Sequence, residues 1–263
     1  MHVKILRQDD RGQVGIPSAV RILMAGQRDT LAHPREACHS VGMTRLFSVS
    51  CGQPWLVATF PASQRMLSWS INRPGFVDAH RVAWLEVRNA ELPLGVDPAM
   101  LLAERLGSAA LTDAVGMMTA RDIRRHRLAD AQDGGVTATV LATVGLTNGV
   151  RFDRNGAVTE ATRPAPVGTI NMLAAVSCRL DDAALVEAVS IVATARTAAL
   201  LADRGRVAAT GTDCIVVACA GTGSAVPHAG LHTPVGRSLA AAAFAATRDA
   251  RADWEHEFAH APS

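Results

Sequence analysis

Five short polar clusters stand where apolar runs begin or end. They are Thr119 with Arg121 and Asp122; Thr147-Asn148-Gly149; Gly168-Thr169-Ile170-Asn171; Thr210-Gly211-Thr212-Asp213; and Pro227-His228-Ala229-Gly230-Leu231-His232-Thr233. Ends of rigid strands commonly present functional groups. Each cluster alone also reads as turn chemistry, because Thr and Asn close turns and Gly permits positive φ. Five of them within about 110 residues point to one shared site. Asn, Thr and neutral His both donate and accept hydrogen bonds, which suits an uncharged amide better than a phosphate. Asp213 is the one acid among the strand-start residues; partial burial would raise its pKa and fit it for proton transfer. The alternative is an Asp that caps its own turn. His228 and His232 stand four apart, a spacing that on a helix would let both bind one metal ion. Pro227, Gly230 and Pro234 make this segment a loop, so orienting substrate or moving a proton is the expected role.

The elements that must position these clusters are unevenly legible. Up to about Asn89 the chain reads as β-rich, with runs at Arg45–Ser50, Trp55–Phe60, Arg65–Ile71 and Arg81–Val87 between Gly, Pro and Asn. A helix is predicted from Asp97 as cap and Pro98 as first residue to a stop at Gly107. Ala114–Thr119 is predicted as a strand, followed by a polar cluster from Asp122 to Arg127. Val136–Leu146 alternates Thr137, Thr139 and Thr143 with aliphatics and fits a strand. A polar loop with Asp153–Gly156 follows, then a strand at Ile170–Val176. Asp181 caps a long helix with Leu185, Val189, Val192 and Leu200 on one face, ending at Gly205. Cys214–Ala220 is a third buried strand, and Thr233-Pro234 opens a last helix towards Phe258. This mix predicts an α+β fold: a single layered domain over residues 1–263, with sheet covered by helices. About 1–95 is its β-rich third and 96–263 its mixed part.

Composition narrows the function classes. Of 263 residues, 49% are apolar and 19% charged, ample for a core and unlike a disordered chain. A formal charge of +2 gives no general electrostatic reason to expect nucleic acid or an anionic membrane. The five cysteines (Cys38, Cys51, Cys178, Cys214, Cys219) lack a CxxC pair and suggest neither disulfide framework nor zinc cluster. Met1-His2-Val3-Lys4 is soon followed by Arg7, Asp9 and Asp10, unlike a signal peptide. No apolar run is expected to reach the ~20 residues of a membrane span, so a cytoplasmic protein is expected. Gly221-Thr222-Gly223 follows a strand, but Val226 stands where a dinucleotide fingerprint needs Gly. Gly236-Arg237-Ser238 falls inside the last helix, where a nucleophile elbow would not.

At these same clusters the chain resembles the adenosylcobinamide amidohydrolase family of cobamide salvage. The matching pieces are Leu67-Ser68 with Ile71-Asn72, Val115-Gly116-Met117-Met118-Thr119, Val144-Gly145-Leu146-Thr147-Asn148 and Gly168-Thr169-Ile170-Asn171. Ala195-Arg196-Thr197, Thr210-Gly211-Thr212-Asp213 and His228-Ala229-Gly230-Leu231-His232-Thr233-Pro234-Val235-Gly236 follow in order. The resemblance runs over roughly residues 45–250. Two departures stand out: Arg196 replaces an expected lysine, and Trp69-Ser70 interrupts a stretch usually smaller and glycine-rich. The resemblance implies hydrolysis of the amide joining aminopropanol to the corrin ring of adenosylcobinamide, giving adenosylcobyric acid and aminopropanol, in salvage or remodelling of corrinoids. A non-catalytic corrinoid-binding module and a nucleotide-dependent enzyme using Gly221–Gly223 are the competing readings. The implied partner is a corrinoid small molecule, with no nucleic acid and no membrane insertion; a homo-oligomer stays open.

Amide hydrolysis needs an activated water or hydroxyl, donors for the developing oxyanion and an acid for the leaving amine. On this reading Asp213 is the general base, Asn171 (or Asn148) the oxyanion donor and His232 the acid. Asn148, Thr119, Thr169, Thr212 and His228 contact the substrate, and Thr119, Asn148, Asn171, Thr212, Asp213 and His232 are expected to converge on one cleft at a sheet edge. No resident cofactor is expected, since the cobalt arrives with the corrinoid. Turnover should therefore survive a chelator. Loss of activity that zinc restores would instead make His228, His232 and Asp213 metal ligands.

Overall fold

The computed structural model describes residues 45–258 other than 94 and 160–167. The N-terminal expectations, Cys38 and the assignment of the first 44 residues to the domain lie outside them. Strand β1 (Ser48–Gly52) pairs antiparallel with β2 (Trp55–Ser68), which pairs in turn with β3 (Gly75–Glu86). The two runs predicted at Trp55–Phe60 and Arg65–Ile71 are thus one strand. A register shift between Thr59 and Gln64, around Pro61, bends it between its halves. Helix α1 (Pro98–Ser108) is capped by Asp97 and leads to β4 (Val115–Thr119), parallel to β3. Then come β5 (Arg127–Asp133) and β6 (Val136–Val144), joined through Gly134-Gly135, both at positive φ where glycine carries no steric cost. The small strands β7 (Gly149–Phe152) and β8 (Val158–Thr159) flank the predicted polar loop, which is their turn. After β9 (Ile170–Val176), helix α2 (Asp182–Leu201), β10 (Ala209–Thr210), β11 (Cys214–Ala220) and α3 (Pro234–Phe258) complete the described chain.

The main sheet has the order β4-β3-β2-β11-β9-β6-β5, with β1 beside β2, and β10-β7-β8 form a separate three-stranded sheet. Period-two alternation sorts the main sheet's side chains into layers. On β9, Ile170, Met172, Ala174 and Val176 face α2 and α3 together with Ile215, Val217 and Cys219 of β11. Leu173 and Ala175 turn the other way. They pack with Val216, Ala218 and Leu141 against Leu56, Val82, Trp84, Val115 and Met117 from the far strands. Ala83, Leu85 and Ala114 lie beyond, under Leu102 and Leu106 of α1. The bend in β2 therefore folds the sheet over on itself, giving four layers: α1, two facing sheet halves, and α2 with α3. This is the layered α+β fold expected from the sequence.

Strand β5 is the element the sequence concealed. Its residues RLADAQD read as a polar stretch because it is a half-buried edge. Its charges are tied to neighbours: Arg127 to Asp253 at 2.5 Å, Asp130 to the Thr139 hydroxyl at 2.7 Å and Asp133 to Arg237 at 2.6 Å. Helix α2 is also long and apolar enough to cross a membrane by length and composition, contrary to expectation. Its Ala184, Leu185, Ala188, Val192 and Leu200 are buried against the sheet and α3. Leu173, fully buried between the sheet halves, should show how far the layers depend on one another. Leu173→Ala should lose about 2–5 kcal/mol in urea unfolding, since the rigid layers on both sides cannot collapse into the cavity.

Candidate active site

The topology gives the sheet two chemically distinct ends. Strands β9 and β11 are parallel, Cys214 lying beside Asn171 and Cys219 beside Val176. Their amino ends carry Gly168–Asn171 and Thr210–Asp213, and four of the five polar clusters gather there. Asn171 is 1% exposed and donates its side-chain amide to the Met118 carbonyl at 2.7 Å, which places Thr119 beside it across the fold of the sheet. The Thr169 hydroxyl donates to the Thr212 carbonyl at 2.7 Å, and Gly145 N–H donates to the Thr169 carbonyl at 3.0 Å. Gly168 must be glycine, because a Cβ there would stand 2.5 Å from Thr147 Oγ1 and 2.7 Å from the Gly145 carbonyl oxygen. Thr210 pairs with Gly149, bringing Asn148 to the same end. Thr212 itself is exposed.

At the centre lies Asp213. Its carboxylate accepts from Ile170 N–H at 3.2 Å, Thr210 N–H at 3.1 Å, the Thr210 hydroxyl and Arg196 Nη1 at 2.5 Å. The two charged side chains are 8% and 11% exposed. Burial pushes the Asp213 carboxyl above the usual range, opposed by Arg196 and then by the bonds from Thr210 and Ile170. Burial and the neighbouring Asp213 push the Cys214 thiol up to about 12, so it holds its proton at neutral pH and is no ready nucleophile. Arg121 is buried and bound to Glu257 at 2.7 Å, leaving its Nε and Nη2 without a hydrogen-bond partner among the described residues. Thr143 Oγ1, beside Asn171 in register, and Asn148 Oδ1 are buried and unpartnered in the same sense.

His228 and His232 are elsewhere. They sit on the loop that leaves the carboxyl end of β11, roughly 20 Å from Asp213 at ~3.3 Å per residue along the strand. Leu180, which follows β9, bridges Val226, and Glu187 near the start of α2 accepts from Ala229 N–H at 2.7 Å. Both histidines are exposed. The expectation of a single cleft is corrected here: parallel strands put a loop before β11 and a loop after it on opposite ends of the sheet. His232 therefore does not face a substrate held at Asp213, and His228, His232 and Asp213 do not form a metal set. Among the described residues no three His, Cys, Asp or Glu side chains are grouped to hold a metal ion. A cavity of about 670 Å³ opens at the histidine end, lined by Arg65, Asp78, Asp182 and Gly221 among others. Several of its charges have partners: Arg65 pairs with Asp182 at 3.2 Å and Asp78 at 3.9 Å, and Asp181 caps Ala184 N–H at 2.8 Å.

Arg196 and Trp69 are site residues that the polar clusters alone did not indicate. Arg196 carried a signal, being a lone charge four residues after Val192 on the apolar face of a helix. Trp69 reaches the site only because β2 pairs with β11, and its indole N–H donates to the Asp213 carbonyl at 2.8 Å.

The adenosylcobinamide amidohydrolase family model matches residues 39–258. The chain belongs to the adenosylcobinamide amidohydrolase family. It is also 40% identical over 111 residues to an adenosylcobinamide amidohydrolase of Halobacterium salinarum, covering 41% of this chain and 48% of that protein. The chain thus matches about half the length of this curated relative. Among solved structures, a Burkholderia sp. beta-aminopeptidase shares 12% identity and a TM-score of 0.43, over 74% of this chain and 78% of its own. The PH0078 protein from Pyrococcus horikoshii OT3 shares 10% and 0.40, over 75% and 77%. Neither likeness bears on what this family member does.

The Asp213–Arg196 pair can be tested directly. Arg196→Met leaves a buried carboxylate without its counter-charge and should cost about 3–5 kcal/mol in urea unfolding at neutral pH. Without Arg196 the Asp213 carboxyl rises further, so the folded variant takes up its proton at higher pH than the wild type does. The deficit should therefore be largest at neutral pH and shrink as pH falls towards the ordinary carboxylate range. A deficit that stays constant with pH would show that the pair is not what Arg196 contributes.

Proposed function

We propose that this protein hydrolyses the amide joining aminopropanol to the corrin ring of adenosylcobinamide, at the amino ends of β9 and β11. Water supplies the hydroxyl that becomes the carboxyl of adenosylcobyric acid and the proton that leaves with aminopropanol. The family supports the reaction. The observation that carries the placement is the Asp213 carboxylate, which ties the Gly168–Asn171 and Thr210–Asp213 clusters to each other and to Arg196 of α2. Cobalt comes with the substrate, and the reading needs no resident cofactor. The role is the return of scavenged corrinoids to cobamide synthesis.

The geometry favours a different task for Asp213 from the general base expected from the sequence. A carboxylate offers about four acceptor positions, and backbone, hydroxyl and guanidinium donors already occupy them. In this reading Asp213 is a positioning residue that holds Thr169, Thr212 and Asn171 in place. Asn171 uses one amide hydrogen on Met118; the second is the oxyanion donor. Losing such a donor typically costs ~100- to 1000-fold in turnover. Asn148, Thr119, Thr169 and Thr212 contact the amide-fringed corrinoid.

Purified protein incubated with adenosylcobinamide should release free aminopropanol. Binding without release would make it the non-catalytic corrinoid module. Asp213→Asn should lower thermal stability, corrinoid affinity and turnover together, because the face loses its shape. If that variant melts and binds normally and loses turnover alone, the carboxylate is the base and the positioning role falls.

A further inference from the structure

The connection between β2 and β3 combines two properties rarely found together in a surface loop: it is firmly clamped, and it exposes large apolar side chains. Ser70 donates to the Gly116 carbonyl, Asn72 accepts from Gly116 N–H at 2.9 Å and its amide donates to the Ala114 carbonyl at 3.1 Å. Arg73 binds the Asp113 carbonyl. The backbone is thereby held against β4. Yet Trp69 is 45% exposed and Ile71 52%. The bond from the Trp69 indole to the Asp213 carbonyl satisfies its polar edge and fixes the ring beside the Thr212–Asp213 segment. An oriented indole with an open face, next to a set of amide-binding groups, is a shelf for a flat apolar ligand surface.

We infer that Trp69, with Ile71 beside it, is the surface on which the corrin macrocycle lies while its amide fringe meets the Asn/Thr face, making Trp69 a specificity-determining residue. This rests on the placement of the corrinoid at the Asp213 end. The two parts divide the substrate by chemistry: the polar cluster takes the amides, and the indole takes the apolar ring. Trp69 acts on binding and touches no reacting bond. Its effect therefore appears in KM and Kd, with kcat left nearly as it was.

Calorimetric titration of the wild type, Trp69→Ala, Trp69→Phe and Ile71→Ser with adenosylcobinamide and with dicyanocobinamide, beside steady-state kinetics, tests this. Trp69→Ala should raise Kd and KM roughly tenfold, with kcat within about twofold. Trp69→Phe keeps an apolar ring but loses the bond to the Asp213 carbonyl, so its Kd should fall between those of the wild type and Trp69→Ala. Ile71→Ser leaves the Asp213 anchor intact and should give a smaller rise in KM at an unchanged melting temperature. Equal losses with both corrinoids support the macrocycle as the occupant. A loss confined to the adenosyl form would mean that the upper ligand's base lies on Trp69, and would overturn the assignment. Unchanged Kd in Trp69→Ala, or a fall in kcat at constant KM, would also overturn it. If the wild type binds neither corrinoid, the proposed function itself fails.

Discussion

One buried carboxylate holds this site together. Asp213 stands at the start of β11 with Arg196 as its counter-charge, and its remaining acceptor positions bind Ile170 N–H at the start of β9 and the Thr210 N–H and hydroxyl at the end of β10. A buried charge that is paired and fully hydrogen-bonded is tolerable, whereas the same charge with one partner missing is expensive. That asymmetry explains why the segments around it cannot drift apart. Thr169, Thr212 and Asn171 are held in relation to one another by a group that the protein cannot leave unsatisfied.

The second constraint is the bend in β2. A flat sheet in the observed strand order would leave β4 and β9 far apart, with three strands between them. The register shift around Pro61 folds the strands over, buries Leu173 against Trp84 and its neighbours, and brings the Met118 carbonyl within reach of Asn171. Packing and site assembly are thus one event. The apolar layer between the sheet halves stabilises the same arrangement that sets the two polar strand ends side by side.

Parallel pairing of β9 and β11 then gives the two ends of the sheet different side chains. The amino end holds Asn and Thr side chains around the buried Asp213–Arg196 pair, with Thr143 Oγ1 and Asn148 Oδ1 buried and unpartnered among the described residues, beside an exposed indole. The carboxyl end holds arginines and aspartates around an open cavity, Arg65 paired with Asp182 and Asp78, with two exposed histidines nearby. On the proposed function, the amide fringe of the macrocycle complements the first kind of surface. At the second, Gly230 and Thr233 serve local structure: the Thr233 hydroxyl accepts from Gly236 N–H and donates to the Gly230 carbonyl, closing the turn that starts α3.

The sequence by itself determined every element whose signal is local. Asp97-Pro98, Asp181 and Thr233-Pro234 mark helix starts because a cap bonds backbone within a few residues. The apolar runs Ile170–Val176 and Cys214–Ala220 are buried on both faces and show as continuous hydrophobic stretches. The polar clusters, too, were legible as residue types. What those clusters touch was not. β5 hid because an edge strand reads as polar when its charges find partners on other elements. The union of two predicted strands into β2, the reach of Trp69 to Asp213 and the exclusion of the histidine loop from the site all depend on long-range pairing. A strand's sequence shows which face it buries, but its direction relative to a partner comes only from the crossover between them. Here that crossover, α2, made β9 and β11 parallel, so tertiary structure alone decided that Asp213 and His232 stand at opposite ends of the sheet.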